Sequence, residues 1–137
     1  MIYIMKYGTS GFRDHHTKIL QISEKIGIAL ALLNQYKKES FGIMITASHN
    51  HYEDNGIKIM NNKGIMVAKD IEDYMENFIN EQDYDYDEFL GDYAINNEHV
   101  SKNIIINIGY DSRRSSPQIA NAIVSGIKKI NTNIQYC

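Results

Sequence analysis

The chain has 137 residues, of which 43% are hydrophobic, and this length corresponds to about one domain with an ordinary core. A net charge of −3 with scattered Lys and Arg residues excludes a general nucleic-acid binder. No run of about 18 uncharged apolar residues is present and the first residues do not resemble a signal peptide, so we expect no membrane span. The only cysteine is Cys137, which excludes an internal disulfide, and we expect a reducing, cytoplasmic setting.

Predicted strands and helices alternate along the chain. The apolar residues of segment 17–38 recur every three or four positions, as in an amphipathic helix, and segment 43–45 is apolar on both faces, as in a buried strand. In chain order the predicted elements are a strand at 2–6, a turn at 8–11, a helix at 17–38, strands at 43–45 and 57–60, a helix at 70–79, a strand at 103–109, a helix from 115 to about 131 and a last strand from 133. We therefore expect one α/β domain over residues 1–137, with a mixed, mainly parallel sheet flanked by helices and an irregular acidic connector at 80–102.

A small polar segment follows the second predicted strand. Thr46-Ala47-Ser48-His49-Asn50 comes directly after the apolar residues 41–45, and Asp54-Asn55-Gly56-Ile57-Lys58 opens the next strand. A serine oxygen held at the end of a sheet is a candidate nucleophile when a neighbouring group manages its proton. His49 and Lys58 are the candidate acid/base or phosphate-binding groups, so the pattern indicates phosphoryl chemistry.

Four segments together resemble domain I of the α-D-phosphohexomutase superfamily. In chain order they are Y-G-T-S-G-F-R at 7–13, G-I-M-I-T-A-S-H-N at 42–50, D-N-G-I-K at 54–58 and G-Y-D-S-R-R-S-S at 109–116. In bacterial phosphoglucomutases and phosphomannomutases the G-x-D-x-R segment precedes T-A-S-H-N, whereas here it follows, and this order is similar to that of the phosphoacetylglucosamine mutases. The resemblance implies an α/β/α domain and the interconversion of N-acetylglucosamine 6-phosphate and 1-phosphate through a bisphosphorylated sugar.

The resemblance also implies roles for individual residues. Ser48 would carry the phosphoryl group, and its phosphate would be one ligand of a Mg²⁺ ion. Arg13, His49 and Lys58 would complete the catalytic groups, because arginine offers a rigid fork for phosphate and lysine a point charge that also moves a proton. The residues implied to bind phosphate or substrate are Thr9, Ser10, Arg13, Asn50 and Arg113.

Asp111 and Arg113 have two interpretations. They could form an ion pair that braces the serine segment, or Arg113 could reach the phosphate. Ser115 and Ser116, which precede Pro117, are most simply helix N-caps.

Two other features depart from the family pattern or imitate it. His51 stands where the family usually has proline. The loss of proline frees one backbone dihedral, and the pre-organisation of the loop is therefore in doubt. The acidic segment at 83–87 spells D-x-D-x-D, the spacing of the family's magnesium loop, but tyrosine replaces the loop glycine and Glu88 replaces its arginine. We interpret this segment as part of a solvated connector.

The resemblance covers almost the whole chain but only about a quarter of a full-length mutase. The metal loop, the sugar-recognition loop and the C-terminal phosphate loop belong to domains II–IV, whose motifs are absent from this sequence. Three hypotheses follow: a piece of an active mutase completed by other polypeptide, a stand-alone remnant with no mutase activity, or an interaction module that pairs with a larger mutase. Sugar phosphate is the expected small-molecule partner in the first two.

Two unrelated classes of enzyme have little support. A serine hydrolase would show a G-x-S-x-G elbow, and a dinucleotide-binding domain would show G-x-G-x-x-G after a strand. Neither motif is present.

Overall fold

The computed structural model describes residues 4–37, 39–47, 50–80, 105–130 and 135–136. Within these ranges the secondary structure consists, in chain order, of β1 (Tyr7–Gly8), β2 (Gly11–His15), α1 (His16–Lys37), β3 (Phe41–Ile45), β4 (Asp54–Met60), α2 (Lys69–Asn80), β5 (Ile105–Tyr110), α3 (Ser116–Ile130) and β6 (Gln135–Tyr136). The predicted connector therefore lies outside the described residues from position 81 onward, including the acidic segment at 83–87. No helix in the described ranges is long and apolar enough to cross a membrane.

The structure describes residues 4–6 of the predicted first strand, and for these residues the prediction is wrong. Residues 4–6 form no strand, and pairing begins only at Tyr7. The cause is α2, whose side chains bind this backbone: the Met5 N–H donates to Asn80 Oδ1 over 2.9 Å, the Met5 C=O accepts from Asn80 Nδ2 over 2.8 Å, and the Tyr7 N–H donates to Glu76 Oε1 over 2.7 Å. Apolar alternation alone does not reveal such helix-to-backbone bonds.

The described strands form a six-stranded mixed sheet in the order β1-β2-β4-β3-β5-β6. The pairs β1–β2, β2–β4 and β4–β3 are antiparallel, whereas β3–β5 and β5–β6 are parallel. The mixed sheet flanked by helices is confirmed, but its expected mainly parallel character is wrong for these pairings. The physical reason is β4, which begins at Asp54 rather than Ile57 and returns antiparallel between β2 and β3.

The three described helices share one apolar core with one face of the sheet. The sheet residues on this face alternate along each strand and are fully or almost fully buried, as are the helix residues that meet them. The sheet residues are Phe12, Ile43, Ile45, Ile57, Ile59 and Ile106, and the helix residues include Ile19, Ile26, Leu30, Met75, Ile119, Ile123 and Ile127. On the other face lie Arg13, Met44 and Lys58, as their pairing partners show. The sheet thus separates a packed side from the side that carries two candidate catalytic cations.

Helices α1 and α3 approach each other through two glycines. A Cβ added at Gly27 would lie 2.0 Å from the Ile123 carbonyl oxygen, and one added at Gly126 would lie 2.1 Å from the Glu24 carbonyl oxygen. Both distances are far inside van der Waals contact, so the two backbones touch directly where they cross. This crossing sets how closely α1 and α3 pack.

We expect Gly126→Ala to destabilise the chain by about 3 kcal/mol, because the added methyl group must push two backbones apart. Chemical denaturation monitored by circular dichroism measures the change. Ser125→Ala is the matched control, since Ser125 is exposed on the same helix and its replacement should change the free energy of unfolding by less than about 0.5 kcal/mol. Equal midpoints for the wild type and Gly126→Ala would contradict this packing.

Candidate functional site

The serine turn, defined here as Thr46–Asn50, directly follows β3. The Thr46 N–H donates to the Gly56 carbonyl over 2.9 Å, and the Asn50 N–H donates to the Ala47 carbonyl over 2.8 Å. Ser48 and His49 lie outside the described residues. The two hydrogen bonds therefore fix the turn on both sides of the candidate nucleophile, next to the beginning of β4.

Arg113 joins the ends of the serine turn to β4. Its Nε donates to the Asp54 carbonyl over 3.0 Å, and its Nη2 donates to the carbonyls of Ala47 and, over 3.1 Å, Asn50. Its Nη1 forms an ion pair with Asp111 Oδ2 at 3.0 Å. A planar guanidinium suits this task because its donors point in fixed directions. The structure thus shows the bracing arrangement, and a direct contact between Arg113 and phosphate stays a prediction.

Asp111 is the acceptor around which this brace is built. It follows β5, and its carboxylate accepts from Thr46 Oγ1 over 2.8 Å, from Ser116 Oγ over 3.1 Å and from the Arg113 backbone N–H over 3.1 Å. Burial raises the pKa of Asp111, but these hydrogen bonds and the charge of Arg113 outweigh it and lower the pKa below its ordinary value of 3.8. The carboxylate is therefore held ionised beside the turn.

Arg13 reaches the serine turn from β2. It pairs with Gly56, and a Cβ at Gly56 would lie 3.1 Å from Arg13 Cγ and 2.7 Å from the carbonyl oxygens of Phe12 and Thr46. The glycine of D-N-G-I-K is thus required for the close approach of β2, the turn and the arginine stem. Arg13 Nη1 donates to Asn50 Oδ1 over 3.0 Å, and the buried Nε has no hydrogen-bond partner among the described residues.

The Asn50 side chain is already engaged at both ends of its amide. Its Oδ1 accepts from Arg13, and its Nδ2 donates to Asp54 Oδ2 over 3.3 Å. The next residue, His51, is exposed, its ring lies against Tyr52, and its carbonyl accepts from the Asp54 N–H over 2.9 Å. The loop that lacks proline is therefore tied back to β4 by hydrogen bonds.

Lys58 lies further along β4 on the same face as Arg13. It pairs with Met44 and is half-buried. Thr9 and Ser10 form the loop between β1 and β2, and Gly11, which ends that loop at a φ of 89°, contacts Ile57 and Lys58. The structure thus places Thr9 and Ser10 near Lys58 rather than beside Asn50. The roles of all three in phosphate binding or catalysis stay predictions.

Sequence reasoning assigned no role to Asn55, which the structure shows as a buried polar link. Its side chain is fully buried, and its Nδ2 donates to Ser115 Oγ over 2.9 Å and to Ser116 Oγ over 3.0 Å. The available signal was an asparagine inside a strand, a position where this residue type is depleted. Ser115 and Ser116, predicted as caps, also serve as these partners.

An open groove of about 930 Å³ lies beside Arg113. Arg113 lines it, but the bonds described above already occupy its guanidinium, so Arg114 is the more exposed cation there. The remaining lining residues are His16, Tyr52, Glu53, Ser112, Ser115 and Gln118. In the described part of the chain, no group of three or more His, Cys, Asp or Glu side chains is arranged to hold a metal ion. These residues therefore do not form a complete magnesium site.

The sequence is similar to a known protein family and to several curated proteins. Residues 27–86 match the family model described as phosphoglucomutase/phosphomannomutase, alpha/beta/alpha domain I. Phosphoacetylglucosamine mutase of Sus scrofa is 30% identical over 127 residues, covering 90% of this chain and 23% of the relative. Phosphoacetylglucosamine mutase 1 of Schizosaccharomyces pombe is 37% identical over 115 residues, covering 83% of this chain and 22% of the relative.

Solved structures agree with the sequence matches. A crystal structure of an N-acetylglucosamine-phosphate mutase in its product complex superposes with a TM-score of 0.80 and 30% identity, over 98% of this chain and 26% of that one. The Aspergillus fumigatus N-acetylphosphoglucosamine mutase, in complex with GlcNAc-6P and magnesium, gives a TM-score of 0.76 and 27% identity, over 98% of this chain and 25% of that one. In sequence and in fold the chain matches domain I of the α-D-phosphohexomutase superfamily. It spans about a quarter of the length of these relatives.

We expect Asp111→Asn to lower the free energy of unfolding at pH 7 by about 2 kcal/mol, because the brace loses its charged acceptor. A carboxyl group whose pKa is lower in the folded than in the unfolded state stabilises the fold above the unfolded value and loses that contribution as the pH falls through the folded value. The difference between wild type and variant should therefore shrink as the pH is lowered below about 3.8. Urea unfolding at pH 7 and pH 3 measures it.

Asp70→Asn provides the control, because Asp70 is exposed at the start of α2 and should contribute less than about 1 kcal/mol. A stability difference between wild type and Asp111→Asn that is equal at both pH values would show that the Asp111 charge is not what stabilises the brace.

Proposed function

We propose that the chain is the phosphoserine-carrying domain of a phosphohexomutase-like protein. The family reaction would interconvert N-acetylglucosamine 6-phosphate and N-acetylglucosamine 1-phosphate through a bisphosphorylated sugar. One observation carries the proposal: residues from three separate regions of the chain, at 13, 46–56 and 113, contact one another at one turn. These regions supply Arg13, the serine turn itself, Asp54 with Gly56, and Arg113.

In this proposal Ser48 Oγ carries the phosphoryl group. During transfer the bond between phosphorus and Ser48 Oγ breaks and a bond between phosphorus and a sugar hydroxyl oxygen forms. The sugar hydroxyl proton passes to a base, and Ser48 Oγ takes up a proton from an acid to become a hydroxyl. Transfer in the opposite sense from the bisphosphorylated sugar restores phosphoserine. Lys58 and His49 are the proposed acid/base and charge-stabilising groups, because such transfer depends on in-line positioning and neutralised charge.

Arg13 is the proposed phosphate contact nearest the turn. The Arg13 Nη1 bond to Asn50 holds the guanidinium against the serine turn, and its buried Nε lacks an acceptor among the described residues. A buried donor without a partner is costly, so an acceptor supplied by a phosphoryl oxygen would be favourable there. Asn50, Thr9, Ser10 and Arg113 would shape or line the phosphate site around it.

In this proposal the chain contributes only part of a magnesium site. The phosphate on Ser48 would supply one ligand, and other polypeptide would supply the remaining ligands, since the described residues form no metal cluster. The bound ion would neutralise charge on the phosphoryl oxygens. Its presence in the A. fumigatus relative is the support for this expectation.

The rest of the cleft would also come from outside this sequence. Because the chain spans about a quarter of its relatives, we propose that it is not competent alone and acts with a polypeptide that supplies domains II–IV, in the cytoplasm. A second candidate function is that of a non-catalytic remnant or interaction module that binds sugar phosphate or a larger mutase.

We expect incubation with N-acetylglucosamine 1,6-bisphosphate and Mg²⁺ to add one phosphate to the wild-type chain and none to Ser48→Ala, because Ser48 is the proposed acceptor. Intact-mass spectrometry measures the addition. Ser112→Ala is the matched control, since Ser112 is an exposed serine next to Arg113, and the variant should be phosphorylated as the wild type is. The same samples should show no mutase turnover.

Phosphate retained by Ser48→Ala would remove Ser48 as the carrier. A wild-type chain that takes up no phosphate would favour the non-catalytic alternative. Appreciable magnesium-dependent turnover by the isolated chain would overturn the proposed need for other polypeptide.

A further inference from the structure

Asn55 lies on the packed side of the sheet, away from Arg13 and Lys58. It is fully buried, and every polar atom of its side chain is bonded within the described residues. Its Oδ1 accepts from the Gly56 N–H over 2.9 Å, so the amide orientation is determined and Nδ2 must face α3. Because the amide is buried and its orientation is determined, the residue that faces Nδ2 must present a hydrogen-bond acceptor.

The Ser116 hydroxyl is oriented by Asn55 and in turn bonds Asp111. Its Oγ accepts from Asn55 Nδ2 over 3.0 Å, so its single hydroxyl hydrogen is left to donate to Asp111 Oδ1 over 3.1 Å. Ser116 is itself fully buried, so water cannot substitute for either partner.

Asp111 links this chain of hydrogen bonds to the serine turn. One carboxylate oxygen accepts from Ser116 and the other from Thr46 and the Arg113 guanidinium. Arg113 in turn binds the carbonyls of Ala47 and Asn50. The donors and acceptors thus run without interruption from Asn55 to the two residues that flank Ser48 and His49.

We propose that Asn55 is a positioning residue for phosphoryl transfer at Ser48, an inference that rests on the proposed function of the serine turn. It acts without touching the phosphate: its amide fixes the Ser116 hydroxyl, which orients the Asp111 carboxylate, which holds the Arg113 guanidinium against the turn. The asparagine of D-N-G-I-K is therefore part of the machinery that presents the nucleophile.

Asn55→Asp tests this role because it keeps the side-chain size and replaces the Nδ2 donor by an acceptor. The Ser116 hydrogen would then be shared between two carboxylates, and Asp111 would lose part of the bond from Ser116 that helps to orient it beside its bonds from Thr46 and Arg113. We expect solvent exchange of the Arg113 Nε–H, measured by ¹⁵N NMR, to become at least about tenfold faster. We also expect phosphate uptake at Ser48 from N-acetylglucosamine 1,6-bisphosphate to slow by at least about tenfold.

Asn121→Asp is the matched control, since it makes the same chemical change at an exposed position of α3 and should alter neither rate. Should Asn55→Asp fail to fold, Ser116→Ala breaks the same chain of hydrogen bonds and should give both effects. A folded variant with wild-type exchange at Arg113 would overturn the inference. If the wild type takes up no phosphate, the proposed function fails, while the NMR comparison still decides whether Asn55 positions Arg113.

Discussion

The guanidinium of Arg113 joins the end of β5 to the serine turn and the start of β4, which lie about 60 residues earlier in the chain. It binds carbonyl oxygens of Ala47 and Asn50 in the serine turn and of Asp54 at the start of β4, and it pairs with Asp111 after β5. Carbonyl oxygens at a turn need donors, and a charged planar donor satisfies several of them at once. The shape of the turn therefore depends on the position of one side chain.

The fold places Arg113 by packing rather than by local sequence. Parallel pairing of β3 with β5 brings Asp111 beside the turn, where the Asp111 N–H donates to the Ile45 carbonyl over 3.2 Å. The glycine contact packs α3 against α1, and Ser116 at the start of α3 donates to Asp111. On the opposite face, Gly56 lets Arg13 approach the same turn. The packing of the strands and helices thus determines where the side chains of the site lie.

The sequence predicted the long elements well. Helix α1 begins and ends one residue before its predicted bounds, since apolar residues recur every three or four positions along it. The first strand and the parallel character of the sheet were wrong, because side chains of α2 bind Met5 and Tyr7 and because β4 pairs through its polar residues. Neither effect is visible as a hydrophobic period.

The candidate site was predicted in its components but not in its connections. The motifs identified Arg13, Asn50, Lys58 and Arg113, and they left open whether Arg113 braces or binds phosphate. Only the long-range bonds of Arg113 distinguish these roles, and the link through Asn55 spans about 60 residues, as its bond to Ser116 shows. Hydrogen bonds between distant segments depend on tertiary packing, so no local pattern encodes them.

The central claim is that Arg113 holds the serine turn in place. Amide hydrogen exchange at Asn50, whose N–H donates to the Ala47 carbonyl, tests it most directly in the wild type and in Arg113→Lys. Lysine keeps the charge but cannot bind several carbonyls in one plane, so we expect exchange at least about tenfold faster at Asn50, with unchanged exchange at Ile43 in the central strand. Equal protection of the Asn50 amide in both proteins would contradict it.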